Sequence, residues 1–207
     1  LTCDDETYDM VLDVLRREVI EGALVVLAGS LPLGQPASVW ARLTADLCLL
    51  RCRVVLDTSG APLAASLAAP RESLPFAVKP NRLELEAWAG RPLTEVADIV
   101  AAAGDVQALG IELVVVSRGE QGAIFLRGNT ALSARLPVVN ALSTVGAGDA
   151  MVAGIASSLA DNLGLEALAR RAVAFATAKL GRIGPHLPSP DDVRQLARRV
   201  DVAVLAS

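Results

Sequence analysis

Val11, Leu15 and Val19 fall four positions apart with Met10 beside the first, a spacing that predicts a helix over residues 5–21, stopped by Gly22. Residues 23–28 follow as a continuous apolar run, too short for a helix, and read as a buried strand. The alternation then repeats. Helices are predicted over residues 36–50 and 62–69, and strands over residues 53–57 and 76–79. Two further helical stretches, 82–89 and 94–109, lead into a strand at 112–117. Continuously apolar strands separated by helices imply a parallel sheet with helices on both faces.

Beyond Ser117 the pattern changes. Residues 123–127 and 130–136 read as two short strands joined at Gly128-Asn129, an antiparallel extension of the sheet. The remainder reads as helix over 148–163, 165–180 and 190–199, the last starting at Pro190 with Asp191 and Asp192 in its first turn. With no low-complexity linker and no internal repeat, residues 1–207 are expected to form one α/β domain.

Composition narrows the class. The chain is 53% hydrophobic and 20% charged over 207 residues, which supplies a sizeable core. Mean hydropathy is +0.46, yet every clean apolar stretch falls short of the roughly 20 residues of a membrane span. The surplus therefore belongs to a core, and no membrane partner is expected. A net charge of −4 with dispersed arginines argues against a nucleic-acid partner. Cys3, Cys48 and Cys52 make an odd count with no secretory leader pattern, so reduced thiols in a cytoplasm are expected. No second Cys/His pair joins Cys48 and Cys52 to make a zinc site. The single histidine, His186, sits beside Pro185 with no G-x-S-x-G elbow upstream, which sets aside hydrolase triads.

The most informative segment is Ser143-Thr144-Val145-Gly146-Ala147-Gly148-Asp149-Ala150-Met151, a small-residue loop running into an apolar helix. Gly146, Ala147 and Gly148 uncover backbone N–H groups at a helix N-terminus, where partial positive charge suits an anion. Asp149 adds a carboxylate beside it, a pairing suited to phosphoryl transfer, in which an Asp takes the proton of the attacking hydroxyl. A glycine-rich turn followed by an ordinary first-turn Asp is the plainer alternative.

Three more segments leave predicted strand ends, where open α/β sheets bind ligands. Lys79-Pro80-Asn81-Arg82-Leu83-Glu84 places a lysine with Asn81 and Glu84, which are either oxygen donors to Mg²⁺ or its waters, or a helix cap and its partner. Ser117-Arg118-Gly119-Glu120-Gln121-Gly122 has two glycines that permit close approach to a ligand, or simply a hairpin turn. Gly29-Ser30-Leu31-Pro32-Leu33-Gly34 leaves the first strand.

Together with Asp57-Thr58-Ser59-Gly60, these residues resemble the PfkB/ribokinase family of sugar kinases, the segment Thr144 to Asp149 being the most specific match. Within it the phosphosugar branch is the nearest fit, on residues 78–86, Trp88-Ala89-Gly90-Arg91 and residues 145–151. The resemblance implies a three-layer αβα ribokinase-like fold and ATP-dependent, Mg²⁺-dependent phosphorylation of a sugar phosphate. The implied reaction is fructose 1-phosphate to fructose 1,6-bisphosphate, with fructose 6-phosphate or tagatose 6-phosphate as alternative acceptors and a non-catalytic nucleotide-binding remnant as another reading. A Rossmann-type oxidoreductase is disfavoured, since no G-x-G-x-x-G follows the first strand.

Matching positions carry implied roles. Asp149 would be the base and contact the substrate, and Gly146, Ala147 and Gly148 the anion hole. Lys79, Asn81, Ser117, Arg118, Gly119, Glu120, Gln121, Gly122 and Gly148 would line ATP; Asn81 and Glu84 would organise Mg²⁺, in part through water; and Ser30 would lie at the sugar-phosphate end. Part of the adenine wall would come from residues 172–176 and the loop after Gly181, although 182–189 depart from the usual small-residue pattern. The family's opening third, with its sugar clamp and its β-sheet lid that often forms a dimer contact, has no counterpart in these 207 residues. Weak or no activity of this chain alone is therefore expected. An exposed apolar edge, a tendency of copies to associate, and loss of that dimer contact are expected as well.

Overall fold

In the computed structural model, residues 5–137, 144–181 and 189–206 are described. The first helix, α1, spans Asp5–Glu18, and β1 spans Leu24–Ala28. Then come α2 (Val39–Leu49), β2 (Arg53–Asp57), α3 (Gly60–Leu67), β3 (Ala77–Val78), α4 (Arg82–Ala89), α5 (Val96–Ala108) and β4 (Leu113–Ser117). A β5–β6 hairpin (Ala123–Arg127, Thr130–Arg135) turns at Gly128, whose φ is +57°. It is followed by α6 (Ala147–Ala160), α7 (Leu165–Leu180), α8 (Pro190–Arg199) and β7 (Asp201–Ala206).

The seven strands form one sheet whose spatial order is the chain order, β1 to β7. The first four are parallel and the last three antiparallel, in keeping with the expected mostly parallel sheet and its extension. Alternation of side chains divides the core in two. Val54, Leu56, Val78, Val114, Val116 and Ile124 point to one face, where Tyr8 and Leu12 of α1, Leu47 of α2, Leu85 of α4 and Ile99 of α5 cover them. Val55, Leu113, Val115, Phe125 and Leu132 point to the other, against Ile155 of α6, Leu168 of α7 and the C-terminal segment at Val200. Three αβα layers result.

Two sequence expectations are corrected. β7 was absent from the helical reading of the C-terminus; residues 201–206 instead pair antiparallel with β6, because α8 ends at Val200 in extended conformation and delivers the chain to the open edge. Residues 23–28 do not form a buried strand. Among the described residues β1 has a neighbouring strand on one side only, so Leu27 is buried while Val26 is 42% exposed, an apolar edge of the expected kind. Smaller differences lie at helix ends: α1 stops three residues early, at Glu18, and α6 starts at Ala147 behind Gly146 in the left-handed region. Among the described residues no helix is long and apolar enough to cross a membrane. Cys48 and Cys52 are free thiols, both pushed above the ordinary range by burial, whereas Cys3 and His186 lie outside the described residues.

Candidate active site

Parallel strands deliver their C-terminal ends to one rim, and the segments singled out in the sequence leave that rim from β1, β2, β3 and β4. The first two loops are fastened together: Gly29 N–H donates to Asp57 O over 2.9 Å, and the buried Thr58 hydroxyl donates back to Gly29 O over 3.1 Å. Ser30 follows directly and is exposed at the rim.

Register then decides which charges meet. Leu56 pairs with Val78, so the residues that follow, Asp57 and Lys79, leave adjacent strands side by side. Their side chains form an ion pair of 3.0 Å, with Lys79 only 6% exposed and Asp57 16%. Burial is the main force raising the Asp57 pKa above the usual carboxylate range; Lys79 opposes it, and the negative charge of Asp149 adds to it. Sequence reasoning assigns Asp57 no role beyond its place in a family motif. Its signal was a lone acidic residue closing an apolar strand.

The other half of the site is the start of α6. Gly146 adopts φ +79° as the N-cap residue, Asp149 is an exposed carboxylate in the first turn, and Ala150 N–H donates to Gly146 O over 2.9 Å. First-turn N–H groups have no acceptor within their own helix, which is what makes them available to an anion. One is already directed elsewhere: Ala147 N–H points to Thr144 O over a long 3.3 Å. Gly148 is where the halves join. A methyl group built on Gly148 would stand 3.7 Å from Lys79 Nζ, so the buried ammonium looks directly onto the helix start. Ser143 lies outside the described residues.

Asn81 and Glu84 take the plainer of their two sequence readings. Asn81 Oδ1 accepts from Glu84 N–H over 2.9 Å and Glu84 Oε2 accepts from Asn81 N–H over 2.8 Å, a reciprocal cap on α4. Both also border a cavity of about 370 Å³ between Gly60, Leu63 and Ala64 of α3 and Trp88 of α4, which Lys79 and Asp149 do not line. Asn81 is tied to the next loop through a parallel bridge with Ser117, whose N–H donates to Pro80 O over 3.0 Å.

The Ser117–Gly122 loop closes as a single 3₁₀ turn, with Arg118 N–H donating to Gly122 O over 2.8 Å. Arg118 also donates from its guanidinium to Gln121 O, and Arg135 donates to Glu120 O. The close approach allowed by Gly122 is to protein, not to a ligand: a Cβ there would lie 2.1 Å from Ala134 O. Gly119 faces open space. Residues 172–176 lie in α7 and are mostly buried against the sheet, while 182–188 of the expected adenine loop lie outside the described residues.

Comparison with known proteins gives this geometry its relatives. The pfkB family carbohydrate kinase profile matches residues 5–192. The chain is 47% identical over 196 residues to a 1-phosphofructokinase of Xanthomonas campestris pv. campestris, covering 94% of this chain and 62% of that protein. It is 36% identical over 194 residues to the ATP-dependent 6-phosphofructokinase isozyme 2 of Escherichia coli K12, covering 93% of this chain and 61% of that one. The crystal structure of phosphofructokinase-2 from Escherichia coli in complex with potassium superposes with a TM-score of 0.86 at 33% identity, over 94% of this chain and 62% of that chain. The chain thus spans about three fifths of the length of these relatives.

Proposed function

The chain belongs to the pfkB family of carbohydrate kinases, and from that premise we propose that this site serves transfer of the γ-phosphoryl group of ATP to a hydroxyl of a sugar phosphate. The observation that carries the proposal is the meeting of the Lys79–Asp57 pair and Asp149 at the amino end of α6. Phosphoryl transfer needs fixed positive charge around the moving group and a base at the attacking hydroxyl. The residues present suit both needs.

In this reading Asp149, exposed in the first turn, accepts the proton of the acceptor hydroxyl. The N–H groups of Gly146 and Gly148 face the developing charge, that of Ala147 being directed to Thr144 O, and Lys79, held in place by Asp57, supplies a cation whose position is fixed before any ligand arrives. Ser117 and the Arg118–Gly122 turn line the rim on which the nucleotide's phosphates and ribose would rest. Asn81 and Glu84 would hold Mg²⁺ through water, since the α4 cap uses only one oxygen of the Glu84 carboxylate. When bound, the nucleotide supplies the phosphoryl group and the metal offsets its charge. Ser30 would face the sugar phosphate.

Fructose 1-phosphate is the proposed acceptor, on the 47% identity to a protein named 1-phosphofructokinase. Fructose 6-phosphate is the second reading, on the 36% identity to a 6-phosphofructokinase. The test is calorimetric titration of Mg-ATP into the 207-residue chain, with a coupled assay for ADP release in the presence of each sugar phosphate. Binding is expected, and Asp149→Asn keeps it within about threefold while removing about two orders of magnitude or more of any turnover. A folded chain that does not bind Mg-ATP refutes the proposal. Binding with no turnover on either sugar favours a nucleotide-binding module for these residues.

A further inference from the structure

Arg135 closes β6, and neither a sequence motif nor the family resemblance singles it out, yet it is bonded to the turn that leaves β4. Resting on the phosphoryl-transfer reading above, we propose that Arg135 is a positioning residue for the nucleotide: by holding Glu120 O it keeps the Ser117–Gly122 turn in a form that offers backbone N–H groups, and no carbonyl, to the phosphates.

The placement follows from strand register. Ser117 pairs with Ala123 and Ala123 with Ala134, so the end of β6 runs alongside the turn between β4 and β5. Side chains two apart on a strand share a face, and Ser133 and Arg135 both reach the turn. Arg118 donates to Ser133 Oγ over 3.4 Å, and Arg135 Nε donates to Glu120 O over 3.0 Å. Between these two ties Ala134 O lies against Gly122, where a Cβ would come within 2.1 Å.

Hydrogen bonding gives the placement a purpose, because each carbonyl of residues 118–122 has a donor. Arg118 O accepts from Gln121 N–H, Gly119 O from Gly122 N–H and Gly122 O from Arg118 N–H. The other two accept from guanidinium groups, Glu120 O from Arg135 and Gln121 O from Arg118. The N–H groups of Gly119 and Glu120 have no acceptor among the described residues, and Gly119 has φ +59° with open space beside it. Successive N–H groups around a left-handed residue form a concavity that suits a phosphate oxygen. Without Arg135, the Glu120–Gln121 peptide is held from one side only, by the 3.2 Å bond of Gln121 N–H. Burial, and then the nearby charge of Arg135, push the Arg118 guanidinium below its ordinary range, so an anion at this turn relieves a repulsion that the free chain carries.

The experiment is calorimetric titration of Mg-ATP, Mg-ADP and adenosine into the 207-residue chain, its Arg135→Met variant and its Arg135→Lys variant, with amide hydrogen exchange of each ligand-free chain. Arg135→Met is expected to speed exchange at Gln121 and Gly122 about tenfold, to weaken Mg-ATP and Mg-ADP about three- to tenfold, and to leave adenosine within about twofold. Arg135→Lys keeps a donor for Glu120 O and recovers most of both effects. The inference is overturned if Arg135→Met binds Mg-ATP as the parent does, or if it loses adenosine in equal measure. It is overturned as well if binding weakens while both amides exchange as in the parent, the mark of a direct charge contact and not of a positioned turn. A folded parent chain that binds no Mg-ATP overturns the phosphoryl-transfer reading itself, and this inference with it.

Discussion

Replacing Lys79 by Met tests the electrostatic core of the site most directly. At 3.0 Å, and with an effective dielectric of about 20, the Lys79–Asp57 attraction is about 5–6 kcal/mol before desolvation. Removing one partner of a buried pair typically costs about 3–5 kcal/mol, because the survivor stays out of water without compensation. Here the survivor is Asp57, already raised above the usual carboxylate range by burial and by the charge of Asp149. Losing Lys79 removes the neighbouring cation that lowers it and so raises it further. A carboxyl whose folded-state pKa lies above its unfolded value contributes stability that is complete below the unfolded value and is lost as pH rises through the folded one. Urea unfolding of Lys79→Met between about pH 5 and pH 8 should therefore show the full deficit at the upper end and a shrinking one as Asp57 takes up its proton. The double variant Lys79→Met/Asp57→Asn should recover most of the loss at pH 8. A single variant within about 0.5 kcal/mol of the parent at pH 8, or a deficit that does not change with pH, refutes the reasoning.

Two further perturbations probe how the scaffold is held. Gly122→Ala forces a Cβ to within 2.1 Å of Ala134 O at a φ of +77°, so a loss of roughly 2–4 kcal/mol in urea unfolding is expected, and a variant as stable as the parent contradicts the described hairpin. Tyr8→Phe deletes the 2.6 Å hydrogen bond from the Tyr8 hydroxyl to Asp46 Oδ2 that ties α1 to α2 beneath Arg42. Burial and Asp46 hold the Tyr8 phenol protonated beyond its ordinary range, so a loss of about 1–2 kcal/mol should persist across neutral and mildly alkaline pH, read as a lower melting temperature.

How much of this was legible in the sequence differs between elements and contacts. Strands β2 and β5 and helices α4, α7 and α8 were readable to the residue, because apolar runs bounded by Gly, Pro or a capping Asn specify local structure. β7 was not. Asp201 to Ala206 follow Arg198 and Arg199 with no turn residue between, and five of the six side chains face solvent, so its strand character comes from pairing with β6. The rim loops could be found because sheet topology gathers them in one place. The contacts across the rim could not. Asp57 meets Lys79 only through the register of β2 on β3, and Arg135 meets Glu120 only through the return of β6 along β5. The double role of Asn81 and Glu84 was readable as a pair of alternatives, and the structure realises the cap.

Strand order that copies chain order has a consequence for how the molecule is made. Among the described strands each joins the margin left by the one before it and none is threaded between two others, so β1 to β6 can pair in the order in which they are synthesised. One face cannot be finished that way. Val55 of β2 and Ala77 of β3 belong to the core that α6 and α7 complete, and these helices are synthesised after the hairpin. A nascent chain ending at Arg135 holds Asp57 and Lys79 but lacks the turn they face. Covering the second face and bringing that turn over the ion pair depend on the same two helices, so the proposed site is complete only when that face of the sheet is sheltered.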